Sequence, residues 1–264
     1  MKPTMRNVTT VAEVVAKLAE RTTPDNASEW DPVGLQLGDP KTVVESVGVC
    51  HEVTEVLIDS LRQHRVDLLV TYHPLLFVKT NHVVAGQSAE ARAFSLIQMG
   101  VSLLVTHTDF DAMSGGTADA LAGVFKLRDI TPFGGAPDSG QGHIGRYGAF
   151  EGTLAVVDAM AADVFGSSGL RISGDPYKSV DSLAVLPGSG SDFLEEAAAV
   201  ADAVVTGDVG HHRAVRALDL GLSVVDPGHI ATERPGMKAL CQLVNEVLGV
   251  RVVDMTELDP STWS

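Results

Sequence analysis

Cysteine is nearly absent from this chain: Cys50 and Cys241 are the only two in 264 residues. Both have apolar neighbours and neither belongs to a CxxC or Cys/His spacing, which argues against a thiolate metal site and leaves buried thiols as their reading. Basic residues are also scarce, with 19 Lys and Arg against 34 Asp and Glu and a formal net charge of −15. Sequence-independent binding to nucleic acid runs on clustered lysine and arginine, so that partner class is not expected. A phosphate-bearing small molecule stays open, because one bound metal ion reverses the local field in an acidic protein. No apolar run approaches the roughly 20 residues that span a bilayer; Asp67, His73 and Pro74 interrupt the strongest region, around Leu68 to Val78. Lys2 and Arg6 are not followed by an apolar stretch long enough for a signal peptide, so no membrane association and a cytoplasmic location are expected. No Walker-type phosphate loop and no coiled-coil heptads are present.

What is there is a regular alternation. Thr10 and Glu13 form a capping-box pair ahead of Val11, Val14, Val15 and Leu18, which predicts a first helix. A loop through Pro24 to Pro40 follows. Strands are then predicted near 46–50, 67–71 and 101–106, with helices near 55–64 and 88–98 between them. The stretch from Thr131 to Gly142, rich in Gly, Pro and Ser, reads as a connection and a plausible domain boundary. Beyond it strands are predicted near 144–150, 170–173, 182–186, 203–206, 222–225 and 250–253, and helices near 154–165, 193–201, 211–220 and 237–247. Helices alternating with strands imply α/β architecture with parallel strands, in two halves, 1–130 and 131–264.

Four polar segments each follow a predicted strand: Thr71 to Pro74, Thr106 to Asp111, Thr206 to Asp208, and Gly228 to Glu233. In the last, a helix opening after Gly228 places His229 and Glu233 on one face, four residues apart, as a half-grip on a divalent cation. Strand ends at one edge of a sheet can converge, so His73, His107, Asp111, His229 and Glu233 are candidate ligands. Imidazole with carboxylate suits Zn²⁺, Mn²⁺ or Fe²⁺ better than Ca²⁺ or Mg²⁺. Each residue also has a structural reading: His73 as a turn residue, Asp111 as the cap of a helix starting near Thr117, Glu233 as a partner of helix N-terminal amides. Asp208 is placed to accept a hydrogen bond from a ligand histidine. Leu186 to Ser191 is a glycine-rich turn that could hold an anion but reads first as a turn, and His211 and His212 open a helix.

Four ordered segments carry a resemblance across nearly the whole chain: Trp30 to Gly38, Thr71 to Phe77, His107 to Gly116, and Gly228 to Glu233. The chain resembles the NGG-interacting-factor-like family of toroidal proteins with a dinuclear metal centre, GTP cyclohydrolase I type 2 homologues, in the short form without an inserted domain. The resemblance implies two related, intimately packed α/β halves with mixed sheets, a metal site in the cleft between them, and a homohexamer. It implies His73, Asp111, His229 and Glu233 as ligands, His107 at or beside the centre, and Glu233 as a bridge between two ions. Tyr72 stands where the family carries the first of two adjacent histidines. A phenol, with a reference pKa near roughly 10, must be deprotonated by the cation to be a strong ligand, so one or two ions per chain are expected. Two functions follow: a metal-dependent hydrolase using a metal-activated water, with Glu233 or His107 handling protons and GTP as the substrate the resemblance implies, or a non-catalytic metal-binding ring for storage, delivery, sensing or scaffolding.

Overall fold

Thr10 caps the first helix as its sequence predicts. Its hydroxyl accepts from the Glu13 amide at 3.4 Å, and the Glu13 carboxylate accepts from the Thr10 amide at 2.9 Å. Helix α1 (Val11–Thr22) buries Val11, Val14 and Leu18 as one stripe. The computed structural model describes residues 9–135 and 142–257. The N-terminal segment with Lys2 and Arg6, and residues 136–141 of the expected connection, lie outside the described residues.

The chain then forms β1 (Gly34–Leu37), β2 (Ser46–Cys50), α2 (Glu55–Leu61), β3 (Leu68–Thr71), α3 (Ala89–Met99) and β4 (Ser102–Val105). Next come α4 (Thr108–Ala112), α5 (Thr117–Val124), β5 (Arg128–Phe133), β6 (Gly145–Thr153), α6 (Leu154–Phe165), β7 (Arg171–Ser173) and β8 (Ser179–Ser189). The chain ends with α7 (Leu194–Val200), β9 (Ala203–Gly207), α8 (His211–Asp219), β10 (Ser223–Asp226), α9 (His229–Val247) and β11 (Arg251–Asp254).

Two compact units result, one from the described residues up to Asp109 together with those from Leu240, the other from Phe110 to Ala239. The expected halves, 1–130 and 131–264, divide the chain at another point. The first unit holds a five-stranded sheet in the order β1-β4-β3-β2-β11, parallel except for β1, which runs antiparallel on β4. The second holds a six-stranded sheet in the order β5-β6-β8-β9-β10-β7. Its core, β8-β9-β10, is parallel; β7 pairs antiparallel with β10, β6 antiparallel with β8, and β5 antiparallel with β6. The protein is therefore α/β with two mixed sheets. Every residue of β2, β3 and β4 is buried, as expected of parallel strands covered on both faces.

Three predictions are corrected. β1 lies inside the expected loop; four residues are too few to show alternation, and its pairing with β4 makes it a strand. Residues 131–133 of the expected connection belong to β5, an exposed edge strand that tolerates Pro132. The helix expected to open after Gly228 and the one expected near 237–247 are a single helix, α9, which runs through Pro235; that residue removes one amide donor without ending it.

The two units repeat one substructure. Asp67, just before β3, accepts from the amides of Glu45 and Ser46 at 2.8 and 3.0 Å. Asp202, just before β9, accepts from the amides of Asp181 and Ser182 at 3.0 and 2.9 Å. Thr71 and Thr206, each four residues further on, both donate their hydroxyls to a backbone carbonyl at the end of the neighbouring strand, His51 and Gly188. On the far side, Gly38 after β1 abuts Ser102 and Gly174 after β7 abuts Ser223, both too closely for a Cβ.

Candidate metal centre

In the first unit, strand register does the gathering. Cys50, Thr71 and Val105 lie side by side at the carboxyl ends of β2, β3 and β4. The ladder continues for one further step, with the Tyr72 amide on the Cys50 carbonyl at 3.1 Å, His73 on His51 at 2.9 Å and Thr106 on Thr71 at 3.0 Å. Four rings therefore emerge at one edge. His51 and His73 have ring centroids 4.9 Å apart, His73 and His107 5.5 Å, and Tyr72 and His107 5.0 Å. Tyr72 is fully buried.

Asp31 orients His107 from 76 residues away. Its buried Oδ2 accepts from His107 Nδ1 at 3.0 Å, from the Thr108 amide at 3.0 Å and from the Thr108 hydroxyl at 2.6 Å. Burial pushes the Asp31 carboxyl up, but the hydrogen bond and charge of His107, joined by Thr108, hold it below its ordinary value. Asp109 fixes the same turn, accepting from the His107 amide at 2.7 Å and the Thr106 hydroxyl at 3.1 Å.

In the second unit, the turn from Asp226 to Gly228 leads into α9. Asp226 accepts from the Gly228 amide at 2.9 Å and the Val209 amide at 3.0 Å, and pairs with Arg171. The i,i+4 spacing on α9 brings His229 Nε2 to 3.0 Å from a Glu233 carboxylate oxygen. Asp208 holds His229 Nδ1 at 2.7 Å, in the accepting role expected from its sequence position. Burial alone would lower the His229 pKa; the contacts with Glu233 and Asp208 outweigh it and raise it to about 9. Glu233 itself is almost fully buried. Gly188 packs on this pair: a Cβ there would lie 2.6 Å from Glu233 Oε1, and the Gly188 φ of +64° is left-handed besides.

Both units thus contain a carboxylate–histidine pair, Asp31–His107 and Asp208–His229. A carboxylate on Nδ1 fixes the tautomer that leaves Nε2 for a cation or a proton, the usual support of a metal-ligating imidazole. Tyr72, His73 and His107 come together in the first unit, and His229 and Glu233 in the second. Asp111 is buried in the short helix α4 and does not cap α5, whose N-cap is Gly116. The glycine-rich turn is occupied by its own fold, since the amides of Gly188 and Gly190 donate to the hydroxyls of Thr232 and Thr206. His211 and His212 begin α8 as predicted and are exposed. Burial pushes the Cys50 thiol up to about 12, which keeps it protonated.

His51 is the residue that sequence reasoning missed. It directly follows β2, the same strand-end signal that drew attention to His73 and His107, but no motif contains it. Among the described residues, no helix is long and apolar enough to cross a membrane.

Known proteins are similar to this chain over most of their length. A Streptomyces coelicolor protein described as a GTP cyclohydrolase 1 type 2 homolog is 32% identical over 85% of this chain and 82% of its own. One of the same description from Clostridium perfringens is 27% identical over 89% of this chain and 91% of its own. The solved structure of a Bacillus cereus protein related to NIF3 superposes with a TM-score of 0.86 over 98% of this chain and all of its own; at 19% identity the likeness is one of fold. The model of the Duf34/NIF3 (NGG1p interacting factor 3) family matches residues 9–260, and the chain belongs to that family.

Proposed function

We propose that this protein binds a divalent metal ion through His51, His73 and Glu233, whose donor atoms make a candidate metal-binding triad. That triad is the observation that carries the reading. Two imidazoles and a carboxylate fit Zn²⁺, Mn²⁺ or Fe²⁺ by donor chemistry. His107, His229, Asp111 and Tyr72 complete the proposed centre, with one or two ions per chain and Glu233 as the bridge where there are two. His51 then supplies the second imidazole that Tyr72 does not.

The proposed activity is metal-dependent hydrolysis of a small molecule, with GTP suggested by the description the relatives carry. When bound, a divalent cation acidifies a coordinated water towards neutral pH. The chain's own part is proton handling and exclusion of bulk water. His107, anchored through Nδ1 by Asp31, can move a proton at Nε2, and the buried Glu233 can hold one at its carboxylate. Assembly as a homohexamer and a cytoplasmic location complete the proposal.

Chelator-treated protein is titrated with zinc and manganese, and turnover of GTP and a panel of phosphoesters is followed for wild type, His51→Ala, His73→Ala and Glu233→Ala. Tight binding by wild type alone, with turnover, is expected. Binding unchanged by all three substitutions would overturn the metal assignment. Binding without turnover by any metallated form would leave a storage, delivery or scaffolding role for the same donors.

A further inference from the structure

The Trp30 to Gly38 segment is one of the four that carry the family resemblance, yet the metal reading uses only its Asp31. Among the described residues, Trp30, Phe77 and Tyr177 are the aromatic side chains with more than half of their surface exposed, at 58%, 54% and 87%. The first two touch, with ring centroids 5.7 Å apart. Trp30 also meets His107 edge to face at 6.0 Å. An exposed aromatic pair therefore borders the imidazole cluster of the first unit.

Both rings stand on immobilised backbone. The turn carrying Trp30 is clasped to Thr108 at each end: the Ser28 amide donates to the Thr108 hydroxyl at 2.9 Å, and Asp31 accepts from the Thr108 amide and hydroxyl. The residue before Phe77 is clamped by Gln36, whose side-chain oxygen accepts from the Leu76 amide at 2.9 Å. The Gln36 side-chain amide donates to the carbonyls of Leu76 and Pro32 at 3.2 and 3.1 Å. Polar residues of the motif thus hold the two apolar rings at the surface, with part of the ordering entropy of binding already met by the fold.

We propose that Trp30 and Phe77 form a stacking platform for a planar heteroaromatic ring, the part of the substrate that lies beside the imidazoles. The proposal rests on the metal reading only for the position of the reacting end; the platform itself needs no metal. Aromatic faces with a few convergent polar groups are what a ring-bearing small molecule requires for burial and orientation. The same faces on a second copy of this chain would not use the imidazoles that border them.

The test uses the full chain, zinc-loaded and metal-free, with calorimetric titration of GMP, AMP and nicotinamide mononucleotide, and ribose 5-phosphate as the ring-free control. At least one ring-bearing probe is expected to bind more tightly than the control. Trp30→Leu and Phe77→Ala should weaken that probe by roughly five- to 150-fold, the range that stacking on an aromatic side chain supports. Trp30→Phe should retain most of the affinity, and zinc uptake should stay unchanged in every variant. Equal affinity for ring-bearing and ring-free probes, or for Trp30→Leu and wild type, would overturn the platform while normal zinc uptake leaves the metal reading standing. A change of oligomeric state in Trp30→Leu, with ring affinity intact, would overturn it in favour of contact between copies. Ring discrimination by protein that takes up no zinc would support the platform and count against the metal reading.

Discussion

Asp202 offers a direct measure of how the repeated strand junction is held. Its Oδ2 accepts three hydrogen bonds, from the amides of Asp181 and Ser182 and from the Ser182 hydroxyl at 2.8 Å. At about 1 kcal/mol net for each, Asp202→Ala removes about 3 kcal/mol. The site is half-buried, so water replaces a share, and about 2 kcal/mol remains as the expected loss. Burial pushes the Asp202 carboxyl up, but the Ser182 hydroxyl and the two amides, aided by Lys178, hold it below its ordinary value. A carboxyl lowered on folding contributes stability that is present above its unfolded pKa, near about 3.9, and is lost as pH falls through the folded one. The gap between wild type and Asp202→Ala should therefore be full at pH 7 and narrow below about pH 4. Urea unfolding followed by circular dichroism reads it: at a slope of about 2–3 kcal/mol per molar, the midpoint should fall by about 0.7–1 M at pH 7. An unchanged midpoint at pH 7, or a gap that persists undiminished in acid, would refute the reasoning.

Asp208→Asn removes the carboxylate at His229 Nδ1 and should weaken zinc binding by roughly 10- to 100-fold, measured by competition with a chromogenic chelator; equal affinity would remove His229 from the centre. Gly188→Ala forces a side chain into left-handed backbone, at about 1–2 kcal/mol, and against Glu233; a lowered unfolding midpoint together with weakened metal uptake is expected, and neither change would mean that the turn relaxes freely. Tyr72→His restores the adjacent histidines of the family pattern and should strengthen or complete a second site; stoichiometry by elemental analysis identical to wild type would argue that His51 already fills that role.

Much of the fold was legible because its signals are local. The capping box at Thr10 and Glu13, the uninterrupted apolar runs of β3, β4 and β9, and the helix opening at His229 need only neighbouring residues to be read. β1 and β5 were not legible: one has four residues and the other is an exposed edge strand containing Pro132, so neither shows a period. The continuity of α9 was not legible either: its opening at His229 and its stretch near 237–247 read as separate helices, and Pro235 between them removes one amide donor that a helix held elsewhere tolerates. Asp208 was placed correctly beside a histidine, because it sits one residue beyond a strand end as the other candidates do. His51 carried the same mark and was passed over, because it belongs to no motif.

By itself, the sequence determined the α/β alternation, the absence of membrane-spanning helices among the described residues, and a set of histidines and carboxylates at strand ends. Tertiary structure alone decided which strand ends are neighbours. Pairing of β2 with β3 and of β3 with β4 puts His51, Tyr72, His73 and His107 at one edge, and the fold brings Asp31 to His107 across 76 residues. The physical reason is range: capping and periodicity act within a few residues, whereas strand register and a buried carboxylate's choice of partner are settled by long-range packing.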